Sequence, residues 1–137
     1  MRVVGFNLSQ ISAEKSSEKV DKKPSTSIEF TDLQKDKVDM LKEGEVIKIS
    51  FKYLIVYGEQ EKEKDGNVAI GGTVILSVTK DEAKDITKDW KKKKLPAALN
   101  MTLFNLILKR CTPKAIFLED EVGLPMHTPS PRLGNKE

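Results

Sequence analysis

The sequence predicts an α+β domain in which a four-stranded antiparallel β-meander is followed by two or three helices packed on one face. Apolar and polar residues alternate in several segments up to Thr79, and beyond it the apolar period lengthens to three or four. Strands in one block of the chain and helices in another are typical of α+β domains. The length of 137 residues suits one domain with one core, which we expect to span residues 1–126.

The first two strand patterns are short or irregular. Within RVVGFNLSQISA the apolar phase changes around Ser9 and Gln10, which predicts a strand with a bulge or bend at that point. Ile28 and Phe30 then alternate with polar residues and predict a short, half-buried strand. The charged, Ser-rich residues 14–27 between these patterns are expected to form a loop.

The next two strand patterns are long. Residues 46–57, VIKISFKYLIVY, alternate without a break, and residues 68–79, VAIGGTVILSVT, alternate except where Gly71 and Gly72 interrupt. The glycine pair predicts a kink or bulge, because glycine within a strand offers no side chain to pack. The polar residues between the two segments predict a hairpin loop.

Helix signals begin at Thr79, a suitable N-cap for residues 80–94, which carry acids in their first turn and lysines in their last. A second helix is expected from Ala97 to Arg110, ended by Thr112 and Pro113. A shorter helix is expected to follow and to end at Gly123. The proline-rich residues 127–137 predict an extended or disordered tail.

Composition excludes several classes of protein. One cysteine allows no internal disulfide, and one cysteine with one histidine cannot make a common zinc site. The net charge of +3 is too small to indicate nucleic-acid binding by itself. The apolar start is too short for a secretory signal, and no stretch suits membrane insertion. We therefore expect a soluble cytoplasmic protein without a metal or cofactor.

Residues 99–111, LNMTLFNLILKRC, carry apolar side chains around more of the predicted helix than one sheet covers. Burying a Leu or Phe side chain contributes about 1.5 to 3 kcal/mol to stability. Leaving several of them exposed would lose an amount comparable to the net free energy of unfolding of a small domain. Either a second copy covers them or the short helix containing Phe117 folds back. We favour a homo-oligomer, a dimer or tetramer, whose interface includes Met101, Phe104, Leu108 and Cys111.

No catalytic constellation is evident. His127 lies among prolines without a nucleophile nearby in sequence, which predicts a solvated histidine. Cys111 ends an apolar helix and is expected to be a small buried hydrophobe. Glu119 and Asp120 are adjacent on a helix and point apart, unlike a paired-carboxylate site. We therefore expect no enzyme.

A lysine run beside the single tryptophan is the strongest sign of nucleic-acid contact. Lysines could neutralise phosphates while the indole stacks on a base. Acidic neighbours such as Asp85 and Asp89 cancel part of this field, and lysines are favoured at a helix end in any case. Nucleic-acid binding therefore stays the alternative hypothesis, with the residues Trp90, Lys91, Lys92, Lys93 and Lys94.

Apolar residues also occur outside the regular core pattern, next to charged segments. Such exposed apolar surface favours binding of something apolar, and an extended polypeptide suits a groove beside a sheet edge. The candidate groove residues are Leu33, Val38, Met40, Leu41, Leu124 and Met126.

The chain also resembles the SecB family of export chaperones, which includes SecB-like proteins of archaea and of toxin-antitoxin systems. VVGFNLSQISAEKS resembles the first strand of that family, EVIKISFKYLIVYG and NVAIGGTVILSV its later long strands, and LPAALNMTLFNLILKRC its principal helix. The run CTPKAIFLEDEVGLPMHTPSPRL resembles the segment that follows. The resemblance covers most of the chain and depends on the order of these segments more than on identity.

The resemblance implies an ATP-independent holdase, assembled as a dimer of dimers with the main helices in the middle, that holds unfolded polypeptide in hydrophobic grooves. Two features differ from the family. Export SecB proteins are typically acidic, whereas this chain is slightly basic, and it shows no tail suited to recruiting the translocase motor. A general or partner-specific chaperone is therefore the expected function, with a possible link to export left open.

Overall fold

A computed structural model of the chain describes residues 1–17, 24–36, 44–58 and 65–128. It confirms the α+β class, with a four-stranded antiparallel sheet covered on one face by two helices. Neither helix among the described residues has the length and apolar character that a membrane span needs. The elements are β1 (Arg2–Lys15), β2 (Ser25–Asp36), β3 (Gly44–Tyr57), β4 (Gly66–Thr79), α1 (Lys80–Trp90) and α2 (Ala97–Val122).

The strand order across the sheet is β1-β4-β3-β2, which differs from a simple meander. Three consecutive strands are neighbours, but β1 lies on the far side of β4. Lys15 pairs with Gly66 and Ser25 pairs with Val56, so the β1–β2 connection begins and ends at one end of the sheet.

The predicted irregularity of the first strand is confirmed. The register of β1 against β4 shifts between Leu8 and Gln10, within the segment where the apolar phase changes. The irregularity predicted at Gly71 and Gly72 is the same one, because these two glycines pair with Gln10 and Leu8 on either side of the register shift, while β4 itself runs without interruption. A Cβ at Gly72 would lie only 2.2 Å from the Asn7 carbonyl oxygen, so glycine is required by the close approach of β1.

Gly72 has a second effect on the helix-facing side of the sheet. Its neighbour on β3 is Phe51, and Phe6 pairs with the nearby Val74 of β4. With no side chain on Gly72 between them, the Phe6 and Phe51 rings stack at a centroid distance of 5.5 Å across β4. This contact joins the edge strand β1 to the core.

The first helix begins as predicted. The Thr79 hydroxyl accepts a hydrogen bond from the Glu82 N–H, and the Glu82 side chain accepts one from the Thr79 N–H, which is a capping box. Backbone donation from Thr79 holds the pKa of the Glu82 carboxyl below its usual value. Ile86 is buried and Trp90 is partly buried against the core, so the predicted apolar face of α1 packs on the molecule.

The predicted stop at Thr112 and Pro113 is wrong. One helix of 26 residues continues through Pro113 and ends at Gly123, whose φ of 75° provides the expected left-handed C-cap. Proline is tolerated there because the residue is exposed, so water can bind the carbonyl that its ring leaves unpaired. Since the helix is continuous, the segment around Phe117 does not fold back over residues 99–111.

Candidate functional site

Helix α2 presents one buried stripe and two exposed apolar patches. The buried residues recur every fourth position and pack on the sheet. Three large apolar side chains of the same helix stay exposed: Met101 at 67%, Leu108 at 39% and Phe117 at 62%. The buried stripe consists of Leu99, Leu103, Ile107, Cys111 and Ala115.

The exposed side chains do not form a single line. Met101 and Leu108 are seven residues apart, nearly two full turns, and therefore share one side of the helix, which we call the outer patch. Phe117 follows Leu108 by nine residues, about two and a half turns, and therefore lies on the other side. The two patches can therefore serve different contacts.

Phe117 belongs to a cleft between α2 and the edge strand β1. The cleft is almost entirely apolar, and Ile11 of β1, itself 51% exposed, forms its opposite wall. Because β1 lies at the edge of the sheet, one side of its backbone has no strand partner in the described structure. We call this feature the β1 cleft, and it is lined by Ile11, Pro113, Lys114, Phe117 and Leu118.

The four residues predicted for an oligomer interface have different environments. Met101 and Leu108 are exposed, whereas Phe104 is partly buried and meets the Phe30 ring edge-on at a centroid distance of 5.6 Å. Cys111 is completely buried against the sheet within one subunit. The reason is that each four-residue step turns about 40° around the helix, so the buried stripe reaches Cys111 after three steps from Leu99.

Burial has a chemical consequence for the single cysteine. It raises the pKa of the Cys111 thiol to about 11, so the reactive thiolate is scarce near neutral pH. This agrees with the expectation that Cys111 is a small buried hydrophobe. Among the described residues, no group of three His, Cys, Asp or Glu side chains is placed to hold a metal ion.

The structure does not assemble the predicted groove residues into one groove. Leu33 of β2 pairs with Ile49 of β3. Leu124 is a core residue that lies against Gly66, and Gly66 pairs with Tyr57 of β3. Ile49 and Tyr57 are eight residues apart, so the two leucines lie at opposite ends of a strand segment of roughly 26 Å.

The other predicted groove residues divide into two groups. Met126 is 41% exposed and follows directly after Leu124 and Pro125, so its side chain is available at the surface. The remaining three, Val38, Met40 and Leu41, lie outside the described residues.

A buried polar cluster fixes the segment after α2, and sequence reasoning missed it. The Glu119 side chain is completely buried. Its carboxyl group accepts hydrogen bonds from the Tyr57 hydroxyl and from the His127 backbone N–H, the latter at 2.9 Å. The Tyr57 hydroxyl also lies 2.6 Å from the Pro125 carbonyl oxygen. These contacts hold the chain after Gly123 against β3 and α2.

The His127 ring completes this cluster, so the prediction of a solvated histidine is wrong. The imidazole Nδ1 lies 2.8 Å from Glu119 Oε1, and Nε2 lies 2.9 Å from the Tyr53 hydroxyl. Only 5% of the His127 side chain is exposed. His127, which the sequence assigned to the tail, therefore packs against the domain.

The connectivity of Glu119, His127 and Tyr53 resembles a carboxylate, a base and a hydroxyl nucleophile in series. Tyr53 is completely buried, however, so no substrate can reach its oxygen. Burial also raises the pKa of the Tyr53 hydroxyl, which makes the nucleophilic phenolate scarcer. The arrangement is suited to anchoring the segment.

A second cleft lies where α1 turns into α2, and we call it the Trp90 cleft. It contains the predicted nucleic-acid residues Trp90, Lys93 and Lys94, whereas Lys91 and Lys92 are exposed outside its lining. The Lys93 Nζ lies 5.5 Å from the centre of the Trp90 ring. The lining consists of Phe30, Trp90, Lys93, Lys94, Leu95, Ala97 and Asn100.

Comparison with known proteins identifies the fold. No protein-family model matches the chain, and no curated protein sequence matches it. Among solved structures, the chain is similar to a SecB-like chaperone of Mycobacterium tuberculosis in complex with a ChAD peptide from the HigA1 antitoxin. The identity is 13%, the TM-score is 0.50, and the match covers 98% of this chain and 91% of the other.

The similarity spans both the sheet and the helices. The protein therefore has a SecB-like fold, as the order of strands and helices in the sequence indicated. At 13% identity the comparison establishes the architecture, and the assignment of function has to come from the surfaces described above.

Proposed function

We propose that the protein is an ATP-independent, non-enzymatic chaperone that holds non-native polypeptide at the β1 cleft. The observation that carries this proposal is the apolar cleft that Phe117 and Ile11 line, both more than half exposed, beside the edge strand β1, whose outer side has no strand partner among the described residues. The binding mode combines apolar pockets for side chains with backbone hydrogen bonds along β1.

The chemistry of the cleft suits unfolded rather than folded partners. Its lining side chains are apolar apart from Lys114, so they offer few hydrogen bonds that would select one particular partner. Side chains of Leu, Phe or Ile that a folded protein hides are exposed in a non-native chain, and each contributes about 1.5 to 3 kcal/mol when buried. Affinity then comes from exposed hydrophobicity and rises as a client loses its structure.

The fold comparison supports the same proposal. The similar mycobacterial protein is a SecB-like chaperone that was solved with a bound peptide. We extend polypeptide binding to this chain because it has the same architecture and its own exposed apolar cleft. We further propose that it acts in the cytoplasm as a homo-oligomer, with the outer patch of Met101 and Leu108 between copies. Burial of that patch would remove two exposed apolar side chains from water.

The proposal is tested by aggregation of a chemically denatured model protein diluted from urea, followed by light scattering without ATP. The wild-type protein is expected to suppress scattering at equal molar amounts. Phe117→Ser should lose most of this protection because it removes the main apolar wall of the β1 cleft.

Val4→Ser is the matched control, since it also removes one exposed apolar side chain but lies outside both the β1 cleft and the outer patch. It should retain the protection. If neither variant changes the scattering, or if the wild-type protein fails to protect the client, the assignment of the cleft or of the function is wrong.

A further inference from the structure

The Trp90 cleft has an apolar floor. Leu95 is nearly buried, at 9% exposure, and Trp90 and Phe30 are partly buried and pack against the core. The rings come from different elements, α1 and β2, and are held by that packing. An apolar side chain entering the cleft would therefore meet preformed aromatic surface.

The rim of this cleft is cationic. Lys93 and Lys94 both line it, and among the described residues no ion pair involves either lysine. Lys93 adopts a left-handed backbone conformation with a φ of 60°, and its N–H donates to the Trp90 carbonyl at 2.8 Å. This turn places its ammonium group near the indole ring, at 5.5 Å from the ring centre.

We infer that the Trp90 cleft selects acidic segments of non-native polypeptide. An apolar side chain packs on Trp90 and Phe30, while the carboxylate of a neighbouring Asp or Glu pairs with Lys93 and Lys94. The inference rests on the proposed function, because it names the class of client segment that the chaperone prefers. Among the described residues Lys93 and Lys94 have no ion-pair partner, so they complement a negative charge. The aromatic side chains beneath them favour an apolar residue next to that charge in the bound segment.

The structure favours an acidic peptide over nucleic acid at this position. A base-stacking platform needs a free aromatic face. Here the Lys93 ammonium group lies 5.5 Å from the centre of the Trp90 ring, which leaves less room for a planar base than for a single apolar side chain. The lysine run is also divided, because only two of its four members line the cleft.

The single tryptophan of the chain provides a direct probe of this cleft. A short peptide with Leu and Phe flanked by Glu is titrated while the Trp90 emission is recorded, in parallel with the same peptide carrying Gln in place of Glu. The acidic peptide is expected to shift the emission and to bind at least about tenfold more tightly at low salt. Added salt should reduce this preference, since exposed charges are screened.

Two double variants with the same change of net charge distinguish binding at the Trp90 cleft from nonspecific attraction of the acidic peptide to positive charge. Lys93→Gln with Lys94→Gln should abolish the preference for the acidic peptide, whereas Lys91→Gln with Lys92→Gln should leave most of it. Equal losses in the two double variants, or equal binding of the Glu and Gln peptides, would overturn the inference. Tighter binding of single-stranded oligouridine than of the acidic peptide, with both variants affected equally, would overturn it in favour of nucleic acid.

The aggregation assay separates failure of this inference from failure of the proposed function. With clients of acidic and of neutral composition, loss of protection by Lys93→Gln with Lys94→Gln should be confined to the acidic client. If the wild-type protein protects both clients equally and the variant does too, the inference fails while the chaperone function stands. If the wild-type protein protects neither client, the proposed function fails.

Discussion

The two sides of α2 both carry large apolar side chains, but one side stabilises the fold and the other faces solvent. Leu103 and Ile107 are completely buried against the sheet, whereas Met101 and Phe117 are mostly exposed on the same helix. The buried side chains pack the helix on the sheet, mainly against β1 and β4, and stabilise the fold. The exposed ones contribute little to that packing, so they are available for contacts with other chains. The predictions below test this division.

Truncation on the buried side should have the largest effect on stability. Leu103→Ala leaves a cavity beneath the middle of α2 and is expected to lower the free energy of unfolding by about 3 to 5 kcal/mol. Phe117→Ala, on the exposed side, should change it by less than about 0.5 kcal/mol. Urea unfolding followed by circular dichroism measures both. Similar losses in the two variants would show that the helix packs differently.

The buried polar cluster should give the next largest effect. Glu119→Gln preserves the shape of the side chain but removes an acceptor from the donors around it, which are the Tyr57 hydroxyl and the His127 groups. We expect a loss of about 1 to 3 kcal/mol and faster proteolysis after Gly123. Exposed Glu121, changed to Gln, is the control. An unaltered cleavage rate in Glu119→Gln would mean that the cluster does not anchor this segment.

The outer patch is tested by the mass of the assembly. If Met101 and Leu108 lie between copies, the wild-type protein should show a mass that is a multiple of the 15.4 kDa chain in light scattering at micromolar concentration. Met101→Asp should shift it toward the monomer, while the circular dichroism spectrum stays that of the folded chain, because this side chain is mostly exposed within one chain. Phe104→Asp is less informative, since Phe104 packs on Phe30. A monomeric wild-type protein would contradict the proposed interface.

The smallest effect concerns alkaline pH. The folded Cys111 has a thiol pKa of about 11, whereas an unfolded thiol ionises near pH ~8.5. As the pH rises above the unfolded value, the unfolded chain loses this proton while the folded chain keeps it, so stability falls. Cys111→Ala should remove this contribution, which is about 1 kcal/mol for each pH unit between roughly pH 9 and pH 11. Parallel stability curves for the two proteins would contradict the assigned burial.

The sequence predicted the local elements better than the tertiary relations. Alternation over residues 46–57 and 68–79 identified the long strands, and Thr79 as N-cap and Gly123 marked real helix ends. The position of β1 beside β4 has no local signal, since a strand pattern does not specify its neighbour. Pro113 misled the helix prediction because proline is tolerated where its side of the helix faces solvent.

The candidate site was predicted only in part. Met101, Leu108 and Met126 are apolar residues that the sequence placed at a surface, and the structure leaves them exposed. The β1 cleft joins Ile11 with Phe117, residues far apart in sequence, which no spacing rule connects. The Glu119 cluster was missed for the same reason, because Tyr53, Tyr57 and His127 meet the carboxyl group only after folding.

The most direct test of the chaperone assignment places a photo-crosslinking amino acid at position 117 and, in a second protein, at the exposed Lys84 of α1. Each protein is irradiated with a denatured client and with the same client in its folded state. The account predicts cross-links from position 117 to the denatured client alone, and few from position 84. Equal cross-linking from both positions, or equal capture of folded and denatured client at position 117, would contradict it.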